Sequence, residues 1–224
     1  MTRQGVSKQA LASLGGKPKG TGRSGGALGR KGLETRARLL QAAERLLHGQ
    51  SAVSLTATAI AQEAQTSLAT LYVYFGDVRD ILLVLAEEAS DAIGEILAAL
   101  DAWDPQVSST DGARAFLNAY RAYWTRHHAV LVLRNMESDR GDVRFSEIRK
   151  QAGVRIVSRL ASNILDGRAH ADLTEEQAMA RAIVIFSAIE RLATRETLYE
   201  GESPAIQSAL YEAQIGILTE LVSG

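Results

Sequence analysis

The chain lacks cysteine altogether, and it has few prolines, few aromatic residues and no long apolar run. Without cysteine there can be no disulfide, no thiolate zinc site and no cysteine nucleophile. Three prolines in 224 residues leave long uninterrupted segments that suit helices. The longest apolar runs, such as Ile81–Ala86, are too short to cross a bilayer, and no apolar segment follows the basic N-terminus to make it a secretory signal. We therefore expect a cytoplasmic protein with no membrane partner.

The net charge of −1 hides an uneven distribution of charge along the chain. Residues 1–31 carry seven lysines and arginines and no acidic residue, whereas residues 81–224 carry 14 basic and 21 acidic residues. Residues 1–32 also hold nine of the 19 glycines, a composition that buries too little apolar surface to order a chain. We predict a disordered basic arm over 1–32 in which Arg30 and Lys31 contact nucleic-acid phosphates. For the rest of the arm, a solubilising tail is an equal alternative.

Apolar residues recur at helical spacing from Leu33 to the end of the chain, and no segment sustains the alternation of a strand. The pattern predicts an all-α protein of about nine helices: a small bundle over 33–80 and a larger one over 81–224. The predicted helices are 33–48, 57–63, 67–73, 78–101, 111–127, 129–137, 143–165, 174–199 and 204–222. Their starts are marked by the capping residues Thr56, Asp77, Asp111, Asp142, Thr174 and Ser203.

The second and third predicted helices have the spacing of a helix-turn-helix, with a tight turn at Gln65–Thr66. In such a motif the second helix enters the major groove of DNA, so one of its faces must stay outside the core. Core packing would take Ile60, Ala61, Ala64, Leu71 and Phe75, leaving Ser67, Leu68, Ala69, Thr70, Tyr72 and Tyr74 to face outward. Hydroxyl groups there can donate to phosphate oxygens, and methyl groups can touch the thymine methyl.

Residues 34–85 resemble the DNA-binding domain of the TetR family of transcriptional regulators. The resemblance rests on Arg36-Ala-Arg-Leu-Leu-Gln-Ala-Ala, on Thr56 before Ile60-Ala61, on Thr70-Leu71-Tyr72 followed by Tyr74-Phe75, and on Ile81-Leu82. It implies that Thr56 caps the first helix of the motif and contacts phosphate, that Thr58 reads a base or a phosphate, and that Tyr72 binds phosphate. Core packing is the alternative for Tyr72.

Three positions depart from the family's pattern. Gln65 takes the place of the turn glycine, at a cost on the order of 1 kcal/mol if its backbone is left-handed. Thr66 replaces the apolar residue that follows. Val78 replaces the lysine that opens the next helix, and we predict that Arg79 makes the phosphate contact instead. The reading helix has no Arg, Lys, Asn or Gln, so we expect little direct base readout and a contribution from DNA shape.

The resemblance implies that the remaining helices form a dimerisation and ligand-binding domain. In the family the last two helices pair with their symmetry mates, and such a homodimer would set two reading helices about one turn of DNA (~34 Å) apart. The predicted interface residues are Ile183, Phe186, Leu210, Ile217 and Leu221.

An aromatic and polar cluster in the middle helices suggests a pocket for a small molecule. Its predicted members are Trp103, Phe116, Tyr120, Tyr123, Trp124, His127 and Met136, and ordinary core packing is the alternative for each. His127 and His128 are adjacent, so their side chains point about 100° apart, and no carboxylate stands four residues away. We therefore expect no metal site.

These features together predict a ligand-responsive transcriptional regulator. We expect a repressor that binds a palindromic operator as a homodimer and is released by a small-molecule effector. An all-α enzyme is disfavoured because the sequence has no phosphate-cradling glycine loop, no metal-ligand spacing and no nucleophile elbow, and we expect neither catalytic residues nor a cofactor. The alternative is a TetR-like protein with degraded DNA readout that acts as a protein-interaction or small-molecule carrier module.

Overall fold

The computed structural model describes residues 28–49, 55–167, 172–198 and 203–223. Within them lie nine α-helices and no strand, which confirms the predicted all-α class. The helices are α1 (Arg30–Gly49), α2 (Ala57–Glu63), α3 (Leu68–Tyr74), α4 (Val78–Asp91), α5 (Gly94–Ala102), α6 (Ser109–Asp139), α7 (Val143–Leu165), α8 (Glu175–Leu198) and α9 (Pro204–Ser223). All but the last five residues of the predicted arm lie outside the described part of the chain.

The chain divides into two compact units. The first comprises Met1–Glu88 and Leu133–Ser146, and the second comprises Ala89–Val132 and Glu147–Gly224. The end of α6 and the start of α7 therefore belong to the same unit as α1, α2 and α3. Among the described helices, none is long and apolar enough to cross a membrane.

The core of the first unit is built from the apolar stripe predicted for α1. Leu39, Leu40 and Ala43 are buried, as are Ile60 of α2 and Leu71 of α3. Hydrophobic burial at this spacing holds α2 and α3, seven residues each and too short to be stable alone, against α1. An ion pair at the rim, Arg45 Nε to Glu63 Oε1 at 2.8 Å, ties α1 to the end of α2.

The turn between α2 and α3 has the hydrogen bonds of a Schellman motif, in which the residue after the helix end is left-handed. The Gln65 N–H donates to the Gln62 carbonyl (3.0 Å), and the Thr66 N–H donates to the Ala61 carbonyl (2.9 Å). Gln65 has a φ of 52°, the only positive φ of a non-glycine residue in the described part of the chain. The left-handed turn expected from the sequence is therefore confirmed, and it is formed by a residue with a Cβ.

Replacing Gln65 by glycine should stabilise the protein by about 0.5–1 kcal/mol. The substitution removes the steric cost of a left-handed residue with a Cβ, about 1–2 kcal/mol. Glycine also raises the conformational entropy of the unfolded chain, which offsets part of this gain in stability. The measurement is the urea midpoint of the wild type and the variant. The matched control is Gly141→Gln, because Gly141 holds the equivalent left-handed position after α6 with a φ of 91°. That change should destabilise, and a Gln65→Gly variant less stable than the wild type would contradict the strain assigned to this turn.

Two predicted helix boundaries in the middle of the chain are wrong. The long helix predicted over 78–101 is interrupted at Ala92–Ile93, where the Ala92 N–H closes a tight turn onto the Ala89 carbonyl (3.2 Å). The interruption directly precedes Gly94, a poor helix former, and it keeps Ile93 in the core. Conversely, the two helices predicted over 111–127 and 129–137 form a single helix, α6, because no glycine or proline stands near the predicted break at His128.

The start of α6 also differs from the prediction. The cap is Ser108 rather than Asp111: the Asp111 N–H donates to the Ser108 hydroxyl at 3.4 Å, and that hydroxyl donates to the Asp111 carboxylate at 2.6 Å. Gly112, one residue further on, lies under the indole of Trp103. A Cβ at that position would stand 2.1 Å from Trp103 Cδ1, so only glycine allows the indole to lie on this turn.

Candidate nucleic-acid interface

The residues of α3 predicted to contact DNA lie mainly on its exposed face. Tyr72 is 40% exposed, Ser67, Leu68 and Ala69 are exposed, and Thr70 is half-buried. Leu71 and Phe75 are buried on the opposite face, as the sequence predicted. The helix thus presents a surface of small, hydroxyl-bearing and apolar side chains, which can contact phosphates and thymine methyl groups.

Val73 is part of this surface, although it was not predicted from the sequence. It is 59% exposed and lies four residues after Ala69, so the two side chains share one helical face. Tyr74 lies at the edge: it is half-buried, and its hydroxyl would be 3.6 Å from a Cβ built on Gly32 of α1. The exposure of Val73 could have been predicted from the sequence, because Val73 lies four residues after Ala69 and so on the same helical face.

Side-chain caps fix the starts of both helices of the motif. The Ala59 N–H donates to the Thr56 hydroxyl at 3.1 Å, which confirms Thr56 as the cap of α2. The Thr70 N–H donates to the Ser67 hydroxyl at 3.1 Å, and the Ser67 and Thr70 hydroxyls lie 2.8 Å apart. Caps of this kind contribute about 1 kcal/mol each and hold the first turn in place. The Ser67 and Thr70 hydroxyls are therefore held in place by contacts within the protein.

The first helix supplies exposed positive charge beside the motif. Arg30 and Lys31 are exposed, and Arg30 lies 3.7 Å from Glu34, a weak surface pair. Arg36 stacks over the ring of Phe75, with its guanidinium carbon 5.3 Å from the ring centroid. This contact fastens α1 to the end of the reading helix. Thr58, predicted to read a base or a phosphate, is exposed on α2.

Arg79, the predicted substitute for the missing lysine, is held by two carboxylates. Its Nη2 lies 2.6 Å from Glu137 Oε2 and 2.8 Å from Asp142 Oδ2, and its side chain remains 46% exposed. Asp142 also accepts the Arg144 guanidinium at 3.0 Å and the Arg144 backbone N–H at 2.9 Å. Hydrogen bonds from Arg144 lower the pKa of Asp142 to about 2, so this carboxylate is ionised at neutral pH. A phosphate contact by Arg79 stays a prediction, and it has to compete with these partners.

The predicted ligand residues of the second unit lie in or beside its core. Trp103, Phe116, Tyr120, Tyr123 and Trp124 are all buried, and His127 is half-buried. The rings of Tyr120 and Trp124 are stacked with centroids 6.3 Å apart, and Tyr123 lies 5.4 Å from His127. The indole N–H groups of Trp103 and Trp124 are buried and find no acceptor among the described residues. Met136 belongs instead to the first unit.

The predicted dimer residues differ in exposure. Ile183 and Ile217 are about half exposed, at 49% and 50%, whereas Leu210 and Leu221 are partly buried. Phe186 packs edge-on against Tyr120 of its own chain, with centroids 5.6 Å apart. Two further exposed aliphatic residues, Val184 on α8 and Ile206 on α9, were not among the predicted ones.

The match that shows the family of this chain covers residues 96–210. The model of the tetracyclin repressor-like C-terminal domain matches residues 96–210, more than half of the 224 residues. The chain belongs to the TetR family. It is therefore a TetR-family transcriptional regulator, as the helix-turn-helix signature indicated. By sequence, no curated protein matches it significantly.

Solved structures share the TetR fold over almost their whole length. The fatty acid degradation regulator FadR from Bacillus halodurans matches with a TM-score of 0.62 and 14% identity, covering 87% of this chain and 97% of that one. A tetR-family regulatory protein from Rhodococcus RHA1 matches at 0.61 and 19%, covering 85% and 97%. Thermus thermophilus FadR, a repressor solved with lauroyl-CoA, matches at 0.56 and 18%, covering 84% and 95%. At these identities the likeness concerns the fold alone.

Metal ligands are not grouped in the part of this TetR-family chain that the structure describes: no cluster of three or more His, Asp or Glu residues could hold an ion.

Proposed function

We propose that this TetR-family regulator binds a palindromic DNA operator as a homodimer, represses transcription from it, and is released by a small-molecule effector. The observation that carries the DNA-binding part is the exposed face of α3, where Leu68, Tyr72 and Val73 are 39%, 40% and 59% exposed. The Ser67 and Thr70 hydroxyls at the start of this helix are held by capping hydrogen bonds. A helix of this exposure beside a tight turn fits the major groove.

Phosphate contacts would come from hydroxyl groups and from the start of α1. Tyr72, Thr56 and Thr58 supply hydroxyls on exposed side chains, and Arg30 and Lys31 supply charge. Base contacts would come from Leu68, Ala69, Thr70 and Val73, whose methyl groups suit the thymine methyl. Because no charged side chain stands on α3, we expect sequence preference to be set by thymine positions and DNA shape.

The homodimer is supported by an apolar surface on α8 and α9. Small and aliphatic side chains recur there at helical spacing and are exposed. They are Ala180, Ile183, Val184, Ser187 and Ala188 on α8, and Ile206, Ala209, Ala213, Gly216 and Ile217 on α9. Exposed aliphatic side chains this closely spaced on paired helices are typical of a subunit interface.

An effector site in the second unit is supported by its buried aromatic residues. The indole N–H groups of Trp103 and Trp124 offer two hydrogen-bond donors that a ligand's acceptor could satisfy. The lauroyl-CoA of Thermus thermophilus FadR shows that a protein of this fold can hold a small molecule. We infer a ligand with an apolar body and at least one acceptor. A molecule that saturates this unit and leaves DNA affinity unchanged would contradict its role as an effector.

A second candidate, a protein-interaction module, is favoured by the apolar character of the reading face. Leu68, Tyr72 and Val73 are exposed together, and such patches also mark protein interfaces. Salt dependence separates the two. The logarithm of the DNA-binding constant falls linearly with the logarithm of the salt concentration, because binding releases counterions from the phosphates. The affinity of an apolar protein–protein contact is nearly insensitive to salt.

The test of the proposed function is operator binding by Tyr72→Phe across a series of salt concentrations. Loss of one hydroxyl–phosphate hydrogen bond should weaken binding about tenfold. Because the phenol is uncharged, the slope of affinity against salt should not change. Unchanged affinity would remove Tyr72 from the interface, and wild-type binding that does not depend on salt would favour the protein-interaction module.

A further inference from the structure

We propose that Glu137 and Asp142, at the junction of α6 and α7, compete with DNA phosphate for Arg79 and so form an autoinhibitory contact on operator binding. The proposal rests on the proposed function, because it needs a DNA-bound state. It assigns Arg79 two alternative partners: the carboxylates of its own chain when the protein is free, and a phosphate of the operator when the protein is bound.

The position of Arg79 brings it close to the reading surface. It is the second residue of α4, which begins four residues after the end of α3. The Asp77 carboxylate accepts the Asp80 N–H at 2.9 Å, and the Asp80 carboxylate accepts the Gly76 N–H at 2.9 Å. These bonds fix the turn from α3 into α4. A guanidinium held there, 46% exposed, directly follows in sequence the motif that we propose meets DNA.

The carboxylate side of the contact is built rigidly. α6 ends in a second Schellman motif: the Gly141 N–H donates to the Ser138 carbonyl and the Asp142 N–H donates to the Glu137 carbonyl, both at 3.0 Å. Asp142 then caps α7, since it accepts the Arg144 N–H. Glu137 and Asp142 are therefore brought together by backbone bonds of one turn, and both side chains are largely buried.

The charges around Arg79 favour the contact in the free protein. A cation in the first turn of a helix is opposed by the helix dipole, so Arg79 depends on nearby anions. The carboxylates at 2.6 and 2.8 Å provide them. Arg140 pairs with the other oxygen of Glu137, whereas Arg144 shares Asp142 Oδ2 with Arg79. Phosphate is the other anion that a guanidinium binds with comparable strength. Both carboxylates hold Nη2, so a phosphate that binds this nitrogen must displace Glu137 and Asp142.

The contact has a regulatory consequence. Both carboxylates lie where α6 meets α7, and α6 also carries Tyr120 and Trp124 of the proposed effector site. A change at the end of α6 that strengthens the ion pairs of Arg79 with Glu137 and Asp142 weakens DNA binding. A change that weakens these ion pairs strengthens DNA binding. This coupling is charge competition for one side chain.

The decisive variant is Glu137→Gln, which keeps the shape of the side chain and removes its charge. The probe is a labelled duplex that carries the site selected from a random library, titrated at several salt concentrations. We expect affinity to rise about five- to tenfold and the logarithmic salt slope to steepen by about 0.9, the value for one additional phosphate contact. Asp142→Asn, which retains a capping side chain, should act in the same direction.

Two controls separate competition from other effects. Asp139→Asn removes the same charge from an exposed position two residues away, and it should change affinity less than twofold. In an Arg79→Gln background, Glu137→Gln should no longer tighten binding. If Glu137→Gln has the thermal stability of the wild type and binds DNA equally well or more weakly, competition for Arg79 is contradicted. The two carboxylates would then serve only to position Arg79. If the wild type itself binds no duplex, the proposed function fails, and this inference fails with it.

Discussion

Ala69→Glu should reduce affinity for the operator by at least about 100-fold. Ala69 is exposed on the reading face of α3 and carries no side-chain hydrogen bond to lose. A carboxylate there would be brought against the phosphates and acceptor-rich base edges of the major groove, and like-charge juxtaposition in an interface costs several kcal/mol. The measurement is fluorescence anisotropy of a labelled operator duplex at fixed salt.

The matched control is the same substitution on another exposed helical alanine, Ala122 of α6, which belongs to the second unit. Ala122→Glu adds the same charge to the protein as a whole, so its effect measures the contribution of net charge. We expect less than a threefold change. An Ala69→Glu variant that binds DNA as the control does would show that α3 is not the reading helix.

Ile217→Arg should convert the dimer into a monomer and thereby reduce operator affinity about 100-fold. Ile217 is half exposed on α9, beside Gly216, where a Cβ would meet no atom within 4 Å. In a two-fold dimer the substituted residue would enter the interface from both subunits, so two arginines would be buried without partners. Each monomer would then bind one half-site without the avidity of the second.

The oligomeric state is measured by light scattering after size-exclusion chromatography, where the monomer mass is 24.1 kDa. Val107→Arg is the matched control, because Val107 is a more exposed aliphatic residue in the loop between α5 and α6. That variant should remain a dimer. If Ile217→Arg also keeps twice the monomer mass, the interface lies elsewhere than on α9.

Local patterns predicted the helices whose ends carry their own signals. α2 and α7 have the predicted bounds because Thr56 and Asp142 cap them through side chains close in sequence. The left-handed turn at Gln65 was expected because Gln65 takes the place of the turn glycine in the family's pattern. The interruption of α4 was missed because the apolar stripe runs through it: Ile93 and Ile96 are buried on either side of Gly94. The spacing of apolar residues shows which side chains are buried, but it does not reveal an interruption of the helix by a single turn.

Contacts between distant segments could not be predicted from the sequence. Arg79 was expected on phosphate because Val78 replaces a lysine, and nothing near it in sequence indicates Glu137 or Asp142, about sixty residues away. The capping role of Asp142 was predicted, but its second role as a partner of Arg79 depends on how helices pack within the first unit. Phe186 illustrates the same limit, since its apolar character suits a dimer interface and an internal contact with Tyr120 equally well.

Selection of bound duplexes from a random library is the strongest test of dimeric DNA binding, because enrichment depends on the reading helix and the dimer together. We predict enrichment of one site made of two inverted half-sites, with centres about one helical turn or a multiple of it apart, rich in thymine where α3 lies. The wild type should enrich this site, and Ala69→Glu should not. Enrichment of no sequence, or of a single half-site without a symmetry mate, would contradict a dimeric DNA-binding regulator.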